Sequence, residues 1–200
     1  MKKGLIYIIL AIAFTDVMAQ SNFNDSIALS RNRISKNATI VLGSWAAANI
    51  CTGLIIAGNT SGESKYAWLM NGYWNGFNLG LAVLAYMGIR QAASRHFGFA
   101  DNYKAQHSIE KLYVLNGGLD LAYIAGGFYL AERSRSESDL EKRNKLKGYG
   151  NSIVIQGCFL LVMDAIVFSF HHKNTQRMDQ KLQNWEIQAR PGSLGIIFAF

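Results

Sequence analysis

Two aspartates, Asp120 and Asp164, are the only charged residues within long runs of Leu, Ile, Val, Gly and aromatic residues, and Asn49, Asn75, Asn78 and Asn116 share that apolar setting. A carboxylate placed there must stay neutral, find hydrogen-bond donors or face a wet cavity. At membrane depth such groups are candidates for a proton or ion path or a polar binding site. The plainer reading is polar glue between helices, where one hydrogen bond is worth about 0.6 kcal/mol on average. No Lys or Arg lies in the same runs to neutralise the aspartates. Counted along helices at 1.5 Å per residue, Asn49, Asn78 and Asp120 fall at about one depth. They are expected to turn inward as one layer, with Asp120 accepting from an asparagine amide and Asp164 close by.

The remaining reactive residues point away from catalysis. Cys51 and Cys158 lie inside apolar runs, which suits small buried side chains better than nucleophiles. His171 and His172 stand at the end of such a run as interfacial residues, and the histidines show no metal-ligand spacing. Phosphate loops, serine nucleophile elbows, paired Cys motifs and basic nucleic-acid helices are all missing from the sequence. The expectation is a non-enzyme with no catalytic residues, no metal, no cofactor and no nucleic-acid partner.

The elements that must position these residues are helices. Of 200 residues, half are hydrophobic, 16% are charged and one is proline, while the net charge of +7 is spread between apolar segments. Membrane proteins distribute charge in this way. Four spans are expected, at about 39–58, 67–89, 111–131 and 150–170, each long enough for the hydrocarbon core. Asn24-Asp25-Ser26 can cap a lead-in helix starting at Ile27. The short polar segment after 58 reverses the chain, the longer stretch 90–110 is expected to be partly helical and interfacial, and the mixed-charge run 132–147 is expected to extend the helices into water. In the second span Gly72, Gly76 and Gly80 recur every fourth residue, and Gly118 and Gly126 do the same work in the third; such small-residue faces let helices approach in lipid.

Lys2 and Lys3 followed by the apolar run 4–14 and Val17-Met18-Ala19 read as a cleaved export signal over 1–19. The membrane domain then covers 20–183. In 184–200 the period changes to alternation: Trp185, Ile187 and Ala189, then a turn at Pro191-Gly192-Ser193, then Leu194, Ile196, Phe198 and Phe200. A short C-terminal β-hairpin or extended tail is expected. The fold class is therefore all-α: a four-helix transmembrane bundle between a signal peptide and this tail.

Gly43-Ser-Trp45-Ala-Ala-Ala-Asn49-Ile, Lys65-Tyr-Ala-Trp68 and Met70-Asn71-Gly-Tyr-Trp74-Asn75-Gly-Phe-Asn78 resemble a Bacteroidota family of small four-helix membrane proteins classed as a domain of unknown function. The resemblance covers about 39–170. It implies a bacterial envelope protein and no activity. The expected location is the bacterial cell membrane, the inner rather than the outer. The expected role is a structural or accessory subunit of an envelope complex, with the lipid bilayer and an envelope complex or a second copy as partners. The alternative is a small transporter or channel-like module built on Asn49, Asn78, Asp120 and Asp164. A cavity reaching both aspartates would favour the alternative, and a dry, tightly packed centre the subunit.

Overall fold

The computed structural model describes residues 2–92 and 98–186, with side chains over 22–92 and 98–183. Four helices account for almost all of them: α1 (Lys2–Gly58), α2 (Gly62–Ala92), α3 (Phe99–Arg133) and α4 (Leu140–Glu186). One 3-10 turn, Ser134–Ser136, precedes α4, and no strand occurs among the described residues. Residues 2–19, the expected export signal, lie within α1. The expected hairpin lies outside the described residues from 187 onward, and Trp185 and Glu186 belong to the last turn of α4.

The expected helix start at Ile27 does not occur. From Leu5 to Leu42 the chain contains neither Pro nor Gly, so nothing ends the preceding helix and Asn24 has no helix start to cap. Asn24 instead packs inside, its backbone carbonyl accepting from Asn102 Nδ2 at 2.9 Å. Real ends occur where local chemistry supplies them. Asn59 Nδ2 and Thr60 Oγ1 donate back to the last carbonyls of α1, and Gly62 adopts φ +60°, a conformation natural to glycine. Asp139 Oδ1 accepts from the Lys142 amide at 2.9 Å and caps the start of α4.

The helices run up, down, up and down, but they do not form a square. α1 packs on α2, α2 on α4 and α4 on α3, whereas α2 and α3 make no backbone approach. They stand apart across α4, and a cleft is left between them.

Glycine governs the close crossings, though mostly not the expected glycines. A Cβ at Gly150 would lie 2.5 Å from the Gly127 carbonyl oxygen, and one at Gly148 would lie 2.5 Å from the Glu63 carbonyl oxygen. Gly157 meets α3 beside Asp120 and Ile124. Gly53 of α1 sits against Trp68 and Gly72 of α2. Gly72 thus lies at a crossing, but a Cβ at Gly76, Gly80, Gly118 or Gly126 would meet nothing within 4 Å. The inward face of α2 is the row Asn71, Asn75, Asn78 and Ala82, which turns Gly76 and Gly80 outward. On α3 the inward row includes Asp120 and Gly127, and leaves Gly118 and Gly126 beside it.

Burial is inverted relative to a water-soluble bundle. The buried apolar residues are few and mostly small, Ala38, Ala46, Ala57 and Ala82 among them, while Asn71, Asn75, Gln156, Asp120 and Asp164 are buried. Phe77 and Leu84 are 66% and 67% exposed, and Leu54, Val114, Phe128, Ile155 and Val162 also face outward. Cys51 and Cys158 are free and exposed, not buried as expected. Each expected span falls within one helix, and α1 (over Asn22–Gly58) and α4 (over Leu140–Gln183) contain stretches long and apolar enough to cross a membrane. α2 and α3 are diluted by their inward Asn, Gly and Asp residues.

Below the spans, α1, α3 and α4 continue as a polar end. Arg31 donates to the Asn102 side chain, Gln106 Nε2 donates to the His171 carbonyl at 2.8 Å, and Tyr103 donates to Asp179 at 2.9 Å. The stretch 99–110, expected at an interface, is the start of α3 and packs in this end.

Candidate functional site

The central amides divide into two groups. The first is a closed ring across α1, α2 and α4. Trp45 Nε1 donates to Gln156 Oε1 at 3.0 Å, Gln156 Nε2 donates to Asn71 Oδ1, Asn71 Nδ2 donates to Asn49 Oδ1 at 2.9 Å, and Asn49 Nδ2 returns to the Trp45 carbonyl at 2.8 Å. Asn75 Nδ2 joins at the Asn71 carbonyl, 2.8 Å away. The Trp45 ring stacks on Phe159 with centroids 3.9 Å apart. Every link uses a donor against an acceptor, so the ring holds three helices together without a ligand.

The second group lines the cleft between α2 and α3, a volume of about 430 Å³ floored by α4. α2 supplies Tyr73, Trp74, Phe77 and Asn78; α3 supplies Asn116, Asp120 and Tyr123; α4 supplies Asp164. Trp74 and Tyr123 meet edge to face at 4.8 Å across the two helices that line the cleft. Asn116 lies beside the Asp164 carboxyl, and the Asp120 and Asp164 carboxyls are near enough to interact electrostatically. Asn78, Asp120 and Asp164 are 4%, 3% and 6% exposed.

Polar satisfaction differs between the two groups: the four links of the ring are made, and beside it only Asn75 Oδ1 is left without a partner among the described residues. Trp74 Nε1 and Asn78 Nδ2, both donors, and Asp120 Oδ2, an acceptor, are buried without a partner among the described residues. An orphaned buried group costs about 1 to 3 kcal/mol. Three of them lining one cleft describe a place for a polar occupant. Among the described residues no group of three or more His, Cys, Asp or Glu side chains is placed to hold a metal ion.

The structure therefore brings Asn78, Asn116, Asp120 and Asp164 together, and puts Asn49 and Asn75 with the ring. The single layer expected from depth is split in two. Asp120 does not take the expected asparagine donor: Asn49 turns to the Trp45 carbonyl, and Asn78 Nδ2 and Asp120 Oδ2 both lack a partner among the described residues. Sequence reasoning missed Gln156, although it is the one amide side chain in the run 153–170. It also read the Trp45 and Trp74 indoles as anchors. The Trp45 indole N–H is what ties that ring to the amides, whereas the Trp74 N–H has no partner among the described residues.

The polar end carries its own buried titratable group. His171 is fully buried, with Ser35 Oγ 3.4 Å from Nε2 and the Tyr113 ring stacked at 5.5 Å. Burial, helped by the nearby Arg31 charge, pushes its pKa down to about 4, so the imidazole is neutral at pH 7.

Residues 41–165 match a family of unknown function, DUF6992. No curated protein and no solved structure matches the chain. The matched segment begins just before Trp45 and ends just after Asp164, so it contains the ring and the cleft while stopping short of Arg31 and His171. With well over half of its length matched, the chain belongs to DUF6992, a family of unknown function.

Proposed function

We propose that this chain is an exported, four-span protein of the bacterial cell membrane, and that the cleft between α2 and α3 binds a small polar solute as part of a transporter- or channel-like module. The observation that carries the reading is the set of orphaned atoms on Trp74, Asn78 and Asp120 around one cleft that also holds Asp164. Orphaned donors call for an acceptor on the solute, and the carboxyls call for a cationic or donor group. Tyr73, Trp74, Phe77 and Tyr123 add aromatic faces, which favour an organic cation over a bare ion. The apolar outer surface supports the membrane reading, because lipid rewards the inverted burial that water penalises.

The test is a thermal-shift screen of the purified full chain in detergent against small amines, amino acids and monovalent cations. A solute that raises the melting temperature of the wild type, and does not raise that of Asp120→Asn, supports the site. Failure of every class to shift the wild type overturns it. The membrane part has its own test, since recovery of the protein in the soluble fraction contradicts it whatever the screen shows. A second reading, a structural or accessory subunit, draws support from the closed amide ring, which needs no ligand. A stoichiometric protein partner retained in detergent by a protein that binds no solute would favour that reading.

A further inference from the structure

A second groove, of about 420 Å³, runs between α1 and α4. Its walls are apolar: Ile34, Ala38 and Val41 from α1 stand opposite Ile166, Val167 and Phe170 from α4. From Arg33 at one end to Val41 at the other, the groove is about 12 Å long at 1.5 Å per residue. Val41 marks the end nearer the middle of the spans. The other end lies where the fourth span ends at Phe170, with Lys173 Nζ 5.7 Å from the centre of the Phe170 ring and Arg33, below the first span, lining the groove. Among the described residues, no ion pair to a carboxylate is found for Arg33 or Lys173, and both are exposed.

We infer that this groove is a binding site for an anionic glycerophospholipid, one acyl chain lying along α1 and α4 and the phosphate held between Arg33 and Lys173. The polarity gradient carries the argument. An apolar trough open to lipid takes an acyl chain, and two cations without carboxylate partners at its interfacial end select the charge of the headgroup. A zwitterionic lipid could fill the trough but would bring an ammonium group toward the same two cations. Two juxtamembrane cations give a preference on the order of tenfold for an anionic headgroup. The inference rests on the membrane reading and is independent of any solute in the cleft.

Native mass spectrometry of the full chain, released from mixed micelles containing equal amounts of phosphatidylglycerol and phosphatidylethanolamine with the same acyl chains, tests it. The expected result is one tightly retained lipid per chain, with phosphatidylglycerol favoured about tenfold. Arg33→Gln combined with Lys173→Gln should bring the ratio near one. Lys36→Gln, which removes a neighbouring charge outside the groove, should leave it unchanged. Ala38→Phe, which fills the trough, should lower retention of both lipids; helical circular dichroism and a monodisperse elution profile show that each variant is folded. Equal retention of the two lipids by the wild type, an effect of Lys36→Gln as large as that of the double variant, or undiminished retention in Ala38→Phe would each overturn the site. Such a failure, in protein extracted from membranes, leaves the membrane reading standing.

Discussion

The amide ring and the α2–α3 cleft use nearly the same side chains, an indole with amides in one and an indole with an amide and carboxyls in the other, yet they end in opposite states. In the ring, Trp45, Gln156, Asn71 and Asn49 pass hydrogen bonds from one to the next until the circuit closes. In the cleft, Trp74, Asn78 and Asp120 keep unmatched atoms. The difference follows from helix spacing. Gly53 and Gly72 bring α1 onto α2, and Gly148 brings α4 onto α2, so the amides of those three helices reach one another. No glycine crossing joins α2 to α3, and the same chemistry is left facing space. A satisfied network belongs to the scaffold, and an unsatisfied one in a cleft marks a site.

Breaking the scaffold should have the largest effect. Gly150→Val places carbon where the Gly127 carbonyl and Ala131 amide already sit, and α3 cannot dock on α4. The expected outcome is loss of a monodisperse species on size-exclusion chromatography, whereas Gly118→Ala, with open space around it, should elute as the wild type does. Opening the ring should cost less. Gln156→Leu leaves the Trp45 indole N–H without its acceptor and removes a donor from Asn71 Oδ1, at about 1 to 3 kcal/mol, read as a lower melting temperature. An unchanged melting temperature would mean that the ring contributes no stability.

In the cleft the order reverses. Asp120→Asn is nearly isosteric and breaks no hydrogen bond among the described residues, so stability should move by no more than about 0.5 kcal/mol while solute-dependent stabilisation disappears. A large destabilisation would place Asp120 in the scaffold instead.

At the polar end the effect is confined to acid pH and vanishes at neutrality. His171 has its folded pKa depressed to about 4 from 6.5, so between those values the unfolded chain binds the extra proton. Its contribution to stability is therefore complete above about pH 6.5 and is lost as the pH falls towards 4. Thermal melts followed by helical circular dichroism should show a shallower decline over that window in His171→Gln than in the wild type. Equal slopes would contradict the assignment.

Much of the fold could be read from residue types and spacing. Four helices, their antiparallel order and their approximate depths follow from the uncharged runs and the short polar breaks between them. The lateral arrangement could not be read, because one sequence does not say which of two adjacent helix faces turns inward. Gly76 and Gly80 looked like a packing stripe, yet Asn75 and Asn78, one or two residues away, take the inward face. The cleft's aspartates and asparagines were visible as polar groups in apolar surroundings. Their division from Asn49 and Asn75 was not, since it depends on Gly148, Gly150 and Gly157 pulling α4 between α2 and α3. The continuity of α1 was missed because a good capping triplet was read without asking whether anything stopped the helix before it.

Water access to the cleft, compared with the ring, is the most direct test. In a background carrying Cys51→Ala and Cys158→Ala, Asn78→Cys puts a thiol in the cleft and Asn75→Cys puts one beside the ring. Labelling of intact membranes with a charged, water-soluble thiol reagent should modify the thiol at position 78 and spare that at 75, with both reacting after denaturation. Protection of position 78 equal to that of 75 would mean a dry, closed centre, and would contradict the claim that the cleft is a site.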